Sequence, residues 1–170
     1  MNAIGLLREQ HKRLASLFKR AVAAEPAGKQ LLFDQIVQEL ALHTTLEEQH
    51  FYPAVRARRT EGILLDSLEE HWIMKRVLEQ LFELSAFDEA FDARLRVLND
   101  LIENHFEEEE SELLPRVARA FSKEALEALG AEMTQVVLRW QHDLAQRRAE
   151  PSSPGSPSVR FGLGEHGLQR

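Results

Sequence analysis

Two stretches of this chain, about sixty residues apart, repeat the same spacing of apolar and polar residues. In each stretch one amphipathic segment carries a histidine, and the next carries a His-x-x-x-Glu motif with a proline six residues after the glutamate. Apolar residues at three- and four-residue spacing flank these positions, which predicts that each stretch is a hairpin of two helices. The matching positions are His11 with His71, His43 with His105, Glu47 with Glu109, and Pro53 with Pro115.

Two such hairpins predict an all-α fold, an up-down-up-down antiparallel four-helix bundle with short connections. The four apolar patterns cover about residues 4–22, 33–47, 64–85 and 88–109, with Asp88 as an expected N-cap. A fifth helix is expected from Ser122 to about Glu150, packed on the bundle. We predict one domain over residues 1–150, followed by a mobile Pro/Ser/Gly-rich tail over 151–170 that could contact a protein partner.

Composition narrows the range of partners. The net charge is −7 and the pI is about 5.5, which argues against binding to nucleic acid or to an anionic membrane. No segment approaches the roughly 20 apolar residues that span a bilayer, and the first residues lack the apolar core of a signal peptide. The expected location is the cytoplasm.

The polar residues of the repeat continue the apolar stripes of their helices, so they are predicted to point into the core. Burying unpaired carboxylates and imidazoles costs several kcal/mol, whereas a whole domain is stable by only about 5–15 kcal/mol. A metal centre compensates all six residues at once. They are His11, His43, Glu47, His71, His105 and Glu109.

Helical residues four apart lie one above the other, so each His-x-x-x-Glu motif directs an imidazole and a carboxylate at the bundle axis. Divided evenly, two histidines bind each of two ions, and Glu47 and Glu109 bridge the ions together with an oxide, hydroxide or water. One position on each ion then remains for an external molecule. The chain has no cysteine, so the ligands are nitrogen and oxygen, which favours two non-haem iron ions over manganese or zinc.

These motifs resemble the haemerythrin-like, or HHE cation-binding, domain family over roughly residues 11–115. The strings that carry the resemblance are His-Thr-Thr-Leu-Glu-Glu from His43 and His-Phe-Glu-Glu-Glu-Glu from His105. The resemblance implies a di-iron centre in a four-helix bundle, with the four histidines as terminal ligands and the two glutamates as bridges. A ferritin-like bundle is disfavoured, because its Glu-x-x-His motif has the reverse order.

Two departures separate this chain from the oxygen-carrying members of that family. They have a fifth histidine where this chain has Lys75, and an aspartate where it has Glu110, while Glu109 keeps the four-residue spacing. The pattern is more similar to members that sense or handle oxygen, peroxide or nitric oxide, and to proteins for the repair of iron centres. The latter typically carry an additional cysteine-containing N-terminal domain, so the similarity to them is partial.

Three further residues are candidates around the centre. Lys75 lies one turn after His71 and could reach an open coordination position, or it could simply edge its helix. Tyr52 could pack in the core or serve redox chemistry beside the metal. His50 lies on the same face as His43 and is either an additional histidine near the centre or a surface residue.

Three functions remain open from the sequence. The first is a module that binds or senses O2, NO, peroxide or iron. The second is a di-iron redox enzyme that breaks down peroxide or repairs iron centres. The third is a metal-free helical interaction module, which the repeated buried polar residues disfavour.

Overall fold

A computed structural model describes residues 1–149, and these fold into helices with short connections. The α-helices are α1 (Ala3–Ala23), α2 (Pro26–Leu46), α3 (Tyr52–Val55), α4 (Glu61–Phe82), α5 (Glu89–Glu108), α6 (Leu114–Ala120) and α7 (Lys123–Ala149). Two π-helical segments, Glu47–Phe51 and Glu109–Leu113, join α2 to α3 and α5 to α6. The prediction of an all-helical bundle with an added C-terminal helix is confirmed. Glu150 and the predicted tail, 151–170, lie outside the described residues.

The bundle has the expected pairing of its long helices. Helix α1 packs against α2, and α4 packs against α5, which are the two repeated hairpins. Contacts between α1 and α5 join the hairpins, and α7 lies against α1 and α2. Asp88 occupies the N-cap position of α5, but its carboxylate accepts a hydrogen bond from the backbone of Ser85 in the preceding turn.

The prolines of the repeat do not end the helical path of the chain. The chain remains helical to Val55 after Pro53 and to Ala120 after Pro115. A proline inside an α-helix lacks an N–H and its ring collides with the carbonyl four residues earlier. Each proline here is the second residue after a π-helical segment, where the wider turn relieves that conflict. The regular helical spacing that we assumed did not predict this turn.

The six polar residues of the repeat form a layer between two apolar clusters. One cluster contains Phe18, Phe33 and Leu98, and the other contains Leu7 and Phe51. Each ligand candidate lies on its helix between members of the two clusters. Water is therefore excluded from above and below the polar layer, which strengthens electrostatic interactions inside it.

Helix α7 begins at a capped N-terminus and contacts the bundle closely. The Ser122 hydroxyl accepts a hydrogen bond from the N–H of Ala125, as expected of an N-cap. Gly130 crosses the start of α1, where an added Cβ would lie 2.6 Å from the backbone nitrogen of Ala3. His50 also bonds to α7, with its Nδ1 3.0 Å from Glu132 Oε1.

We expect Gly130→Ala to destabilise the protein despite the higher helix propensity of alanine. The added methyl group meets backbone atoms that cannot rotate away, so we expect a loss of about 1–3 kcal/mol in the free energy of unfolding. Urea denaturation measures this loss. Gly28→Ala in α2 is the matched control, because nothing lies within 4 Å of the added Cβ. Equal effects at both glycines would contradict the close contact.

Within residues 1–149, none of the helices combines the length and apolar character that crossing a membrane requires.

Candidate metal centre

Four imidazoles and two carboxylates meet between the two hairpins, and all six side chains are almost completely buried. Glu47 Oε2 lies 3.2 Å from Nε2 of both His43 and His71. Glu109 Oε2 lies 3.3 Å from Nε2 of His11 and 3.9 Å from Nε2 of His105. The structure thus brings together all six residues that the repeat had singled out.

Each of the four histidines of the centre points its Nε2 inward and bonds an outward partner through Nδ1. A carboxylate only accepts hydrogen bonds, so a carboxylate partner makes Nδ1 the donor and leaves Nε2 free for a metal when the ring is neutral. Three of the partners are carboxylates and the fourth is an amide. The pairs are His11 with Glu110 at 2.8 Å, His43 with Gln10 at 3.2 Å, His71 with Glu48 at 2.9 Å, and His105 with Glu70 at 2.7 Å.

The sequence reasoning missed these four outer partners as a group. The signal was present, because each is adjacent in sequence to a candidate ligand, and the repeat pairs Gln10 with Glu70 and Glu48 with Glu110. Glu110, considered earlier only as the departure from the aspartate of oxygen carriers, is one of these partners. Its side chain is 40% exposed, whereas that of Glu109 is 1% exposed. Glu109 is therefore the inner carboxylate.

Inner atoms of the cluster lack hydrogen-bond partners although they are fully buried. These atoms are Nε2 of His11 and of His43, Oε1 of Glu47 and Oε2 of Glu109. Buried polar atoms are almost always paired, because an unpaired one costs about 1–3 kcal/mol. Unpaired atoms that face one another, with nitrogen and oxygen donors in a closed space, fit a metal ion as the missing partner.

The donor atoms divide into two groups, each compact enough to hold one ion. One group contains His11, His43, Glu47 and Glu109, and the other contains Glu47, His71 and His105. Each hairpin therefore supplies both histidines of one ion position. Glu47 belongs to both groups, which fits a carboxylate that bridges two ions.

The charges of the cluster are strongly coupled. Burial lowers the pKa of His11, but the carboxylates of Glu109 and Glu47 outweigh it and raise that pKa to about 9. Burial likewise lowers the pKa of His105, and Glu47 and Glu70 raise it to about 10. Burial takes the pKa of His43 down to about 3, with the other histidines contributing. Without metal, protons therefore balance much of the buried negative charge.

Tyr52 lies inside the centre and not only in the adjacent core. Its hydroxyl donates a hydrogen bond to Glu109 Oε1 at 2.9 Å, and it lies 3.4 Å from Glu47 Oε2 and 3.5 Å from His71 Nε2. The π-helical turn explains this position, because the N–H of Tyr52 bonds the carbonyl of Glu47, five residues earlier. In a regular α-helix, residues five apart point about 140° away from each other.

Burial and the neighbouring carboxylates of Glu47 and Glu109 raise the pKa of Tyr52 well above its usual value. The phenol therefore keeps its proton at neutral pH. The corresponding position of the second hairpin is Leu114, which is completely buried. The first hairpin thus places a hydroxyl group beside the centre, whereas the second places an apolar side chain there.

Lys75 and His50 are placed differently from the inner residues. The Lys75 ammonium bonds both oxygens of Glu48, at 2.7 and 3.0 Å, and these are its hydrogen bonds within the described part of the chain. It thus supports the outer partner of His71 through an ion pair. His50 contacts α7 through Glu132, so it belongs to the surface between that helix and the bundle.

The arrangement seen here, a helical bundle that encloses histidines and carboxylates around a shared centre, is typical of metal-binding helical proteins. The chain matches the Hemerythrin HHE cation binding domain over residues 2–117, and it therefore belongs to that family. The family predicted from the sequence is confirmed. The match includes all six inner residues and Tyr52.

The chain is also similar to individual proteins of known sequence. A protein of Nostoc named DNA nickase is 32% identical over 133 residues, which are 78% of this chain but 38% of that protein. The uncharacterised protein Rv2633c of Mycobacterium tuberculosis is 28% identical over 140 residues, 78% of this chain and 83% of that protein. This chain thus spans well under half of the Nostoc protein.

A crystal structure of a Hemerythrin HHE cation binding domain-containing protein, the Rv2633c homolog from Mycobacterium kansasii, has the same fold. The TM-score is 0.77 over 88% of this chain and 94% of the other, at 22% sequence identity. This similarity supports the bundle with its added helix.

Proposed function

We propose that this protein holds two non-haem iron ions in the buried centre and uses them to bind or sense a small molecule such as O2, NO or peroxide. The observation that carries the proposal is the arrangement of the four histidines. Each is fixed from outside through Nδ1, while its Nε2 faces the carboxylates of Glu47 and Glu109. Such outer partners orient metal-binding imidazoles and raise their basicity.

Iron is the proposed metal because of the donor set. Imidazole and carboxylate donors with no thiolate suit iron, and sets of two histidines with a carboxylate leave open positions for exogenous ligands in non-haem iron proteins. The two groups here offer four and three side chains, respectively. Neither group fills six coordination positions, so both ions have room for a bridging oxygen species and for a small external molecule.

Metal analysis and an optical spectrum of the protein test this proposal. After iron-replete expression we expect about two irons per chain and oxygen-to-iron charge-transfer bands in the near ultraviolet. Addition of NO to the reduced protein should change the spectrum in proportion to the iron content. A protein that remains metal-free and colourless, even after anaerobic addition of ferrous iron, contradicts the proposal.

A second candidate function is the breakdown of peroxide, which Tyr52 favours. Bound iron would supply the redox chemistry for converting two molecules of hydrogen peroxide into two of water and one of O2. The Tyr52 hydroxyl holds a proton between Glu109 and Glu47, inside the centre, where general acids and bases contribute about 10²–10⁴-fold to rates. The phenol is thus positioned to donate a hydrogen bond or a proton to a molecule bound there.

We expect Tyr52→Phe to keep the metal content and to slow peroxide decay by about a hundredfold. The variant retains the ring, which lies 5.7 Å from the ring of His71, and removes only the hydroxyl. Oxygen release per iron measures the rate, and Glu107→Gln, on an exposed position of α5, is the control. A wild type that holds two irons but does not decompose peroxide contradicts this second candidate and leaves the first one standing.

A further inference from the structure

The outer partners of the four histidines follow the internal repeat with one exception. In each hairpin, the residue before the first histidine bonds the histidine of the second helix, as Gln10 bonds His43 and Glu70 bonds His105. The residue after each inner glutamate bonds a histidine of the other hairpin, as Glu48 bonds His71. The exception is chemical, because Gln10 is an amide where its counterpart Glu70 is a carboxylate.

This difference changes what each ring can offer a metal. A carboxylate that accepts from Nδ1 pulls the proton away from the ring and makes Nε2 a stronger donor, whereas an amide oxygen does so much less. The Oε1 atom of Gln10 also lies farther from its histidine, at 3.2 Å compared with 2.7 Å for Glu70. His43 is therefore the weakest donor of the four imidazoles.

The surrounding cations do not cancel this difference. Lys75 pairs with Glu48, and Arg8 lies 3.9 Å from Glu110, so each hairpin has one outer carboxylate with a basic neighbour. Among the described residues, no lysine or arginine forms an ion pair with Glu70, whose one ion-pair contact is with His105. The group of His71 and His105 consequently has one more uncompensated negative charge beside it.

The additional inner carboxylate, Glu109, opposes this difference only in part. Glu109 is the additional carboxylate in the group of His11 and His43, but its Oε1 already accepts the hydrogen bond of Tyr52. Its Oε2 also lies 3.9 Å from His105, so the other position shares it in part. Glu47 contacts histidines of both groups.

We propose that Gln10 makes the two ion positions unequal, so that the position of His11 and His43 binds a divalent ion more weakly and exchanges it first. The inference deepens the proposed function, because it assumes that the centre binds two ions. Gln10 acts as a positioning and tuning residue through His43 and does not itself touch the metal. The stronger position, at His71 and His105, keeps its ion when the other is lost.

The inference is tested by titrating the metal-free protein with Co²⁺ and monitoring the binding by calorimetry and by visible absorption. We expect two steps in the wild type whose affinities differ by about tenfold or more, the range that outer partners contribute. Gln10→Glu strengthens the weak step and Glu70→Gln weakens the strong step, so the two steps converge in each single variant. His43→Ala removes the weak step alone and thereby assigns it.

The double variant Gln10→Glu with Glu70→Gln gives the most decisive comparison. It exchanges the two partners, so the separation of the steps should return with the order of the positions reversed, and His43→Ala in this background should then remove the strong step. A purely structural role of Gln10 predicts weaker binding in every variant. The inference is overturned if Gln10→Glu leaves the weak step unchanged or shifts both steps equally. A wild type that binds no Co²⁺ contradicts the proposed function itself.

Discussion

If the centre holds two ions as proposed, replacing Glu47 with glutamine should reduce the bound metal to fewer than one ion per chain. Glu47 is the one residue that belongs to both groups of donor atoms, and it is completely buried. The amide keeps the shape of the side chain but loses the negative charge that both positions share. Elemental analysis after iron-replete expression, and the near-ultraviolet bands, measure the loss.

The same substitution should destabilise the metal-free protein by about 3–5 kcal/mol, because it leaves buried charged groups without their partner. Although burial opposes it, the histidines around Glu47 lower the pKa of its carboxyl well below the usual value, so the group is ionised at neutral pH. Urea denaturation measures the change, and circular dichroism shows whether the variant folds. The control Glu107→Gln, at an exposed position of α5, should change stability by less than about 0.5 kcal/mol.

If Glu47→Gln keeps two tightly bound ions, the shared carboxylate is not a ligand and the proposed bridge is wrong. Glu109→Gln then becomes the informative comparison, since its Oε2 contacts His11 and His105. We expect Glu109→Gln to lower the affinity less than Glu47→Gln does, because Glu109 belongs to only one of the two compact groups.

The overall constant for binding both ions should rise steeply with pH, by on the order of a hundredfold per pH unit between pH 6 and 8, which is about tenfold for each ion. A metal binds a neutral imidazole, yet neighbouring carboxylates, acting against burial, raise the pKa of His11 to about 9 and that of His105 to about 10. Both rings are protonated in this pH range, so binding releases at least two protons. His43, with its pKa lowered to about 3 mainly by burial, already lacks its proton and contributes nothing to this slope.

Calorimetric titrations with Co²⁺ in buffers of different ionisation enthalpy count the released protons directly. The stability of the metal-free protein should follow the opposite trend. The folded pKa values of His11 and His105 lie above the unfolded value of 6.5, so their stabilisation is complete below pH 6.5 and is lost as pH rises toward 10. Release of no protons at pH 7 would show that the metal does not displace the protons of these histidines.

The inner residues were predictable because the sequence repeats them. A single His-x-x-x-Glu motif is weak evidence for a metal site. The motif occurs twice here, as His43 with Glu47 and as His105 with Glu109, and apolar residues lie at matching positions around both copies. Helical periodicity then places all of them in the core. The outer partners were not predicted, because glutamates beside a ligand, such as the partly exposed Glu48, resemble ordinary surface residues until the neighbouring helix is positioned.

The π-helical segments are the clearest case of structure that periodicity misses. Regular helical spacing predicts Phe51, four residues after Glu47, on the side of the centre, and it leaves Tyr52 pointing away. The wider turn moves Tyr52 to hydrogen-bonding distance of Glu109 instead. The same turn lets the chain continue as helix past Pro53, beyond the apolar pattern that ended near Glu47.

The sequence by itself determined that four histidines and two glutamates face a common interior in a helical bundle, since side-chain direction follows from helical periodicity along each element. Only the tertiary structure decided how these residues divide, with both histidines of one hairpin in each group of donor atoms and Glu47 shared between the groups. It also decided that Gln10 and Glu70 hold corresponding histidines. Both facts depend on how separate helices pack. The spacing of residues along one helix carries no information about the distances between side chains on different helices.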